Sequence, residues 1–176
     1  AAARRIYVQR SADDGVTWAT AVEITSQVRG TGWRWYATGP GHGGVLTAGP
    51  HAGRIVVPAN HSKPPASGDD GTEAKYSGCH LIYSDDGGLT WQIGATSSNP
   101  NGDVNEGENS LTVLGDGETL YASCRCESDS QPGNRADAVS ADGGATRARH
   151  YRPQCTIRTP IFQGSLLTLA DGRLLY

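Results

Sequence analysis

Three acids recur in one setting: Asp13 in SADDGVTW (residues 11–18), Asp86 in SDDGGLTW (residues 84–91) and Asp142 in SADGGATR (residues 140–147). Their prominence makes them the first candidates for acid–base chemistry, but the pattern S-x-D-x-G-x-T around them describes a turn. An Asp there accepts hydrogen bonds from turn amides, Gly15, Gly88 and Gly144 can take positive φ, and Trp18 and Trp91 can cover the loop. We read the three as structural clips. The third carries Arg147 where the others carry Trp, which on sequence grounds weakens packing and removes no chemistry. A different pair of acids, Glu106 and Glu108 in NEGEN (residues 105–109), stands close enough for the pKa of at least one to rise and for their roles to be coupled. Metal chemistry finds little support. Cys79, Cys124, Cys126 and Cys155 and the five histidines lack the spacing of a ligand set, and four cysteines are too few for a disulfide scaffold of this length. Cys124 and Cys126 flank Arg125, so on a strand they share one face.

The elements that must position these groups are short strands. The clips begin 73 and 56 residues apart (84 − 11 and 140 − 84), and each follows a short apolar or alternating run: RIYVQR, HLIYS and ADAVS. Between them lie GRIVVPA, then NSLTVL and ETLYASCR joined by GDG, then GSLLTL and RLLY joined by ADG. No segment has a helical period. Units of a few strands with one marked hairpin predict blades of a β-propeller. The loops over residues 61–78 and 95–109 are placed to build a ligand site at one rim. Composition agrees: 24 Gly in 176 residues is about twice the usual ~7%, and charged residues are 19%, which disfavours helical bundles. No apolar run approaches the ~20 residues of a membrane helix. The net charge of −3 offers no field for nucleic acid, and the basic cluster Arg147, Arg149, His150 and Arg152 reads as a solvated loop.

The clips resemble the Asp boxes, or bacterial neuraminidase repeats, of sialidases. So does what lies between them, in order: WRWYATGPGHGGVL, GRIVVPANHS, HLIYSDDGGLTW, an acidic loop, a strand, a DG turn, a strand ending in Arg, and IFQGSLLTLADGRLLY. The resemblance covers the whole chain. It implies an all-β, partial six-bladed propeller with roughly three to four blades present, the central part of a single catalytic domain spanning residues 1–176. It implies exo-α-sialidase activity: hydrolysis of terminal sialic acid from glycoproteins, glycolipids or oligosaccharides, with retention of configuration. The family uses three arginines on the substrate carboxylate, a Tyr nucleophile with a Glu base, and an Asp acid/base. A neutral phenol suits an anomeric carbon that already bears a carboxylate, and sialidases are the Tyr exception among retaining glycosidases. Planar guanidinium forks suit the carboxylate itself.

Carried onto this sequence, Arg125 matches the second triad arginine. The base falls on Glu108, eight residues before Asp116 (116 − 108), or on Glu106, which keeps the Asn-Glu pair with Asn105. TGPGHG (residues 38–43) matches a wall loop in which His42 braces the chain or meets substrate. Asn60 and Ser62 match positions on the glycerol or N-acyl side of the sugar, and Gln163 a position near the site floor. Asn60 also heads a glycosylation sequon whose use would obstruct such a pocket. The other triad arginines, the Asp and the Tyr belong to segments before residue 1 and beyond residue 176. Together with the absence of Met, this leads us to expect a piece truncated at both ends. No cofactor or metal is implied. The competing expectation is a non-catalytic Asp-box propeller that binds glycans or serves as a receptor module. Localisation is open from sequence, with secreted, cell-surface or lysosomal settings favoured by the resemblance.

Overall fold

The computed structural model describes residues 4–97, 104–127, 134–147 and 149–176, without the side chain of Arg149. In chain order the elements are β1 (Tyr7–Val8), β2 (Val22–Glu23), α1 (Thr25–Val28), β3 (Tyr36–Thr38), β4 (Gly44–Val45), β5 (Ile55–Ser62), a 3₁₀ turn (Ala74–Tyr76), β6 (Ser77–Ser84), β7 (Gln92–Thr96), β8 (Glu106–Val113), β9 (Leu120–Cys126), β10 (Arg135–Ser140), β11 (Arg149–Pro153), β12 (Leu167–Thr168) and β13 (Leu174–Leu175). One sheet runs β3-β5-β6-β7, with β4 also on β5. A second runs β8-β9-β10-β11, and the pairs β1-β2 and β12-β13 stand at the two ends. All pairings are antiparallel. The phase is that of consecutive propeller blades. Two sheets are complete, and a closing hairpin and an opening hairpin flank them.

Each clip joins the last two strands of its blade: β1 to β2, β6 to β7, β10 to β11. The hydrogen bonds repeat. In the second clip Ser84 Oγ donates to Asp86 Oδ1 (2.8 Å) and accepts from Gly88 N–H (2.7 Å), while Asp86 accepts from the Thr90 N–H (2.9 Å) and hydroxyl (2.6 Å). Gly88 has φ 83°, a region that L side chains avoid. The Thr17 and Thr90 hydroxyls and amides hold the Asp13 and Asp86 carboxyls down at about 2. Trp91 is buried and donates its indole N–H to Gly88 O, whereas Trp18 makes the same bond to Gly15 O but remains 61% exposed.

The third clip corrects the sequence expectation. Its hydrogen bonds survive, but Arg147 does more than lose an aromatic. Its Nη2 donates to Cys79 O (3.1 Å) and its guanidinium lies 5.0 Å from the centre of the Tyr151 ring, between the two complete sheets. Of the remaining basic cluster, His150 is exposed, and Arg152, 61% exposed at its side chain, pairs with Asp137 at 3.4 Å.

Adjacent blades are also tied through their clips. Arg54 is buried, grips Asp85 with two bonds of 2.7 and 2.9 Å, and donates to Gly143 O in the third clip. Gly144 O accepts from Ala95 N–H, and a Cβ on Gly94 would stand 2.3 Å from that oxygen, so only Gly fits there. Leu46, Val56 and Leu81 on one sheet pack against Leu111, Leu120 and Ala138 on the next, with Cys124 and Cys126 on this same buried face. A second core joins Ile6, Ile24 and Val28 to Trp33, Ile82 and Trp91. Burial of this apolar area is the main force setting the angle between blades.

The two loops read over residues 61–78 and 95–109 are strand at their ends. PANHS continues β5, and β8 begins at Glu106; the rest of the 95–109 loop includes residues 98–103, which lie outside the described residues. Pro58 lies inside β5, as the run GRIVVPA implies, although Pro usually marks an edge or a break. Here Pro58 O accepts from Gly39 N–H. A residue's N–H and C=O point to the same side of a strand, so the missing donor of Pro58 faces the interruption between β3 and β4.

Candidate active site

At the rim opposite the clips, the ends of the inner strands enclose a pocket of about 350 Å³. Trp35, Ala37 and Thr38 come from β3 and its approach, and Gly39 and Pro40 from the turn that follows. Asn60, His61 and Ser62 close β5, and Ser77 opens β6. Glu106, Gly107 and Glu108 open β8, Arg125 lies near the end of β9, and Gln163 arrives from the segment after β11. A volume of this order suits a small ligand such as a single sugar ring. The clip aspartates sit at the far end of the blades.

Arg125 occupies the centre of the charge pattern. Its Nε lies 3.3 Å from Glu108 Oε2, close enough to pair but misaligned, so that Nε is left without a hydrogen bond. Its Nη2 meets Glu127 Oε1 at 2.8 Å. The guanidinium passes over Gly107, where a Cβ would come within 3.0 Å of Nε. The register of β8 shifts between Glu106 and Asn109, a bulge that re-aims side chains at this strand end.

The two acids of NEGEN are separated by this bulge into unlike environments. Glu106 is 4% exposed and its Oε2 accepts the Cys79 N–H at 2.7 Å; burial pushes its carboxyl up, against the opposing pull of Ser97 and that amide. The Glu108 side chain is 39% exposed and faces Arg125. Glu106 thus ties β8 to β6, while Glu108 opens to the pocket. Sequence spacing alone left the two open because both lie on one strand end, and the bulge that separates them leaves no trace in residue type.

Among the other candidates, Asn60 and Ser62 line the pocket, as does Gln163, whose segment is exposed. Asn60 is 6% exposed and accepts the Trp35 indole N–H, leaving no room for a glycan on the folded chain. His42 stands apart from the pocket lining. Its Nδ1 meets Gly43 O at 2.7 Å and its Nε2 meets Leu166 O at 2.9 Å, bracing the turn after β3 against the segment before β12. Trp35 was not among the sequence candidates. A spacing of two would put it on the same strand face as Trp33, whereas both precede β3 and Trp33 is buried while Trp35 is 45% exposed.

Comparison with known proteins agrees with this fold. The BNR repeat-like domain family matches residues 1–176. Among curated proteins, mouse Sialidase-4 is 34% identical over 148 residues, 82% of this chain and 28% of its own length. A Bacteroides fragilis sialidase is 26% identical over 167 residues, 94% of this chain and 26% of its own length. The chain therefore spans about a quarter of these relatives. Among solved structures, the Hadza microbial sialidase Hz136 superposes with a TM-score of 0.69 at 25% identity, over 93% of this chain and 28% of that one. The Ruminococcus gnavus intramolecular trans-sialidase in complex with oseltamivir carboxylate does so with a TM-score of 0.69 at 25% identity, over 96% and 31%. With its clips, blade phase and whole-length match, the chain belongs to the BNR repeat-like domain family.

Proposed function

We propose that this pocket holds a terminal sialic acid and forms part of the active site of an exo-α-sialidase acting with retention of configuration. The observation that carries the reading is the pairing of Arg125 with the half-exposed Glu108 at 3.3 Å on the pocket wall. Arg125 grips the substrate carboxylate, for which a guanidinium fork is shaped. Glu108 takes the proton of a phenol whose oxygen attacks the anomeric carbon as the glycosidic bond breaks, and an acid protonates the departing oxygen. Water then releases the sugar from the glycosyl-tyrosine. Among the described residues no tyrosine and no aspartate lines the pocket, so under this reading both come from other parts of the protein. The 176 residues alone are then catalytically incompetent.

Arg125→Ala in the full-length protein should lower kcat/KM on a fluorogenic sialoside about a hundredfold, the scale of losing one partner of a charge-assisted pair, while leaving the unfolding transition in place. Near-wild-type turnover would sink the assignment. Glu108→Gln should impair turnover severely, whereas Glu106→Gln should act chiefly on stability. The reverse order would transfer the base to Glu106. Binding of sialosides without any turnover would favour the glycan-binding alternative.

A further inference from the structure

The bulge at the start of β8 turns Glu108 to the pocket, and residues from two other strands hold it at both ends. At one end Cys79 of β6, fully buried, gives its backbone N–H to Glu106 Oε2 at 2.7 Å and its thiol to Gly107 O at 3.1 Å. At the other end the Tyr151 hydroxyl of β11 donates to Asn109 Oδ1 at 2.6 Å, and Asn109 is fully buried as well. Glu108 stands between these two anchored ends. Both anchors meet one guanidinium. Arg147 Nη2 donates to Cys79 O at 3.1 Å, and the guanidinium carbon lies 5.0 Å from the centre of the Tyr151 ring, within cation–π range. Its charge also opposes the burial that pushes the Glu106 carboxyl up. Trp91, at the same position of the second clip, bonds within its own clip to Gly88 O, whereas Arg147 directs its donor to the neighbouring blade.

We infer that Arg147 is a positioning residue for the base: by holding Cys79 and Tyr151 it fixes both ends of the bulge, and with them the direction in which Glu108 points. This rests on the sialidase reading, in which Glu108 takes the proton of the phenol. The guanidinium touches neither the pocket nor the substrate, so its effect passes through the backbone of β8. One planar group couples β6 of one blade to β11 of the next, and a shift at either contact is carried to the residues on each side of Glu108. A base displaced by an ångström costs on the order of a hundredfold in rate, because proton transfer requires the reacting atoms in hydrogen-bond reach.

The test measures kcat and KM per folded molecule of the full-length protein on a fluorogenic sialoside, with urea midpoints alongside. Arg147→Leu keeps apolar bulk against Tyr151 and removes the donor and the charge. It should lower kcat at least about tenfold and change KM less than about threefold, the split expected when a group acts on the chemical step. Arg125, which receives the substrate carboxylate, keeps its own contact with Glu127 in this variant. Arg147→Lys, which can still donate to Cys79 O and lie over Tyr151, should recover most of the loss. Arg147→Trp restores the aromatic of the other two clips, and its kcat should fall as in Arg147→Leu whatever its urea midpoint does. Tyr151→Phe removes the bond to Asn109 and should lower kcat by itself; joined to Arg147→Leu, the fall should be less than the product of the two, because both act on one bulge. Values of kcat that follow the urea midpoints across the variants would make Arg147 structural only. A loss confined to KM would assign it to binding, and losses that multiply would separate it from the bulge. Each of these overturns the inference and leaves the sialidase reading in place, whereas a wild-type protein that turns over no sialoside overturns both.

Discussion

Acid should weaken this fold before the clip aspartates protonate, through a pair of histidines behind the pocket wall. His61 and His80 are 2% and 0% exposed, their Nδ1 atoms are 3.1 Å apart, and neither Nε2 has a hydrogen-bond partner. The His61 ring stacks on Trp33 at 3.7 Å, and Tyr36 packs edge-on against His80. Burial, with Lys63 and Arg147 adding positive charge, holds His61 down at about 3 instead of 6.5, and the same burial lowers His80. In the unfolded chain both titrate near 6.5. Between those values the unfolded state binds protons that the folded state refuses, so stability is full above pH 6.5 and falls as the pH drops towards 3. At pH 4.5, two pH units below the unfolded value at ~1.36 kcal/mol each, His61 alone costs about 2.7 kcal/mol. Asp13 and Asp86, held at about 2 from a starting value of 3.8, act chiefly below pH 4, and the raised Glu106 carboxyl, which favours the folded state as the pH falls, offsets part of the loss equally with or without His61. Urea unfolding at pH 7.5 and 4.5 measures the difference. His61→Phe keeps the stack on Trp33 without a titrating group, and its loss between the two pH values should be smaller than the wild type's by about 2 kcal/mol. Parallel losses in the two proteins would refute the argument, whatever their absolute stabilities.

Glu127 competes with an incoming carboxylate for Arg125, so Glu127→Gln should tighten binding of a sialoside by a few-fold at low salt, in line with the modest strength of an exposed pair; titration calorimetry would show weaker binding if the contact instead positions the guanidinium. Trp91→Ala should destabilise by about 3–5 kcal/mol, as a buried aromatic does, whereas Trp18→Ala, mostly exposed in this structure, should stay within about 0.5 kcal/mol. Equal effects in urea unfolding would mean that the first clip is covered as deeply as the second.

Much of this architecture was legible because its signals are local. The clip bonds join residues at most four apart, so the residue types that make them must recur together, and reading the three copies sets the phase of every blade. The strands around GDG and ADG were legible for the same reason. Why Pro58 is tolerated inside β5 is decided by its neighbour: the gap between β3 and β4 makes its missing N–H harmless. Arg147 was misread because its residue type at a degenerate clip says nothing about Cys79 and Tyr151, which lie 68 positions before it and four after it.

From residue order alone came the all-β blades and the clips as scaffolding, and the family resemblance added Arg125 with a nearby Glu as the proposed chemistry-bearing pair. Tertiary structure alone separated Glu106 from Glu108, because exposure and pairing depend on a bulge and on Cys79 from another strand. It also decided which way the Asn60 amide faces, because the Trp35 indole N–H reaches its Oδ1 across 25 positions. Local hydrogen bonding follows from residues in sequence, whereas burial, charge and the direction of an amide are set by whatever the fold brings against them.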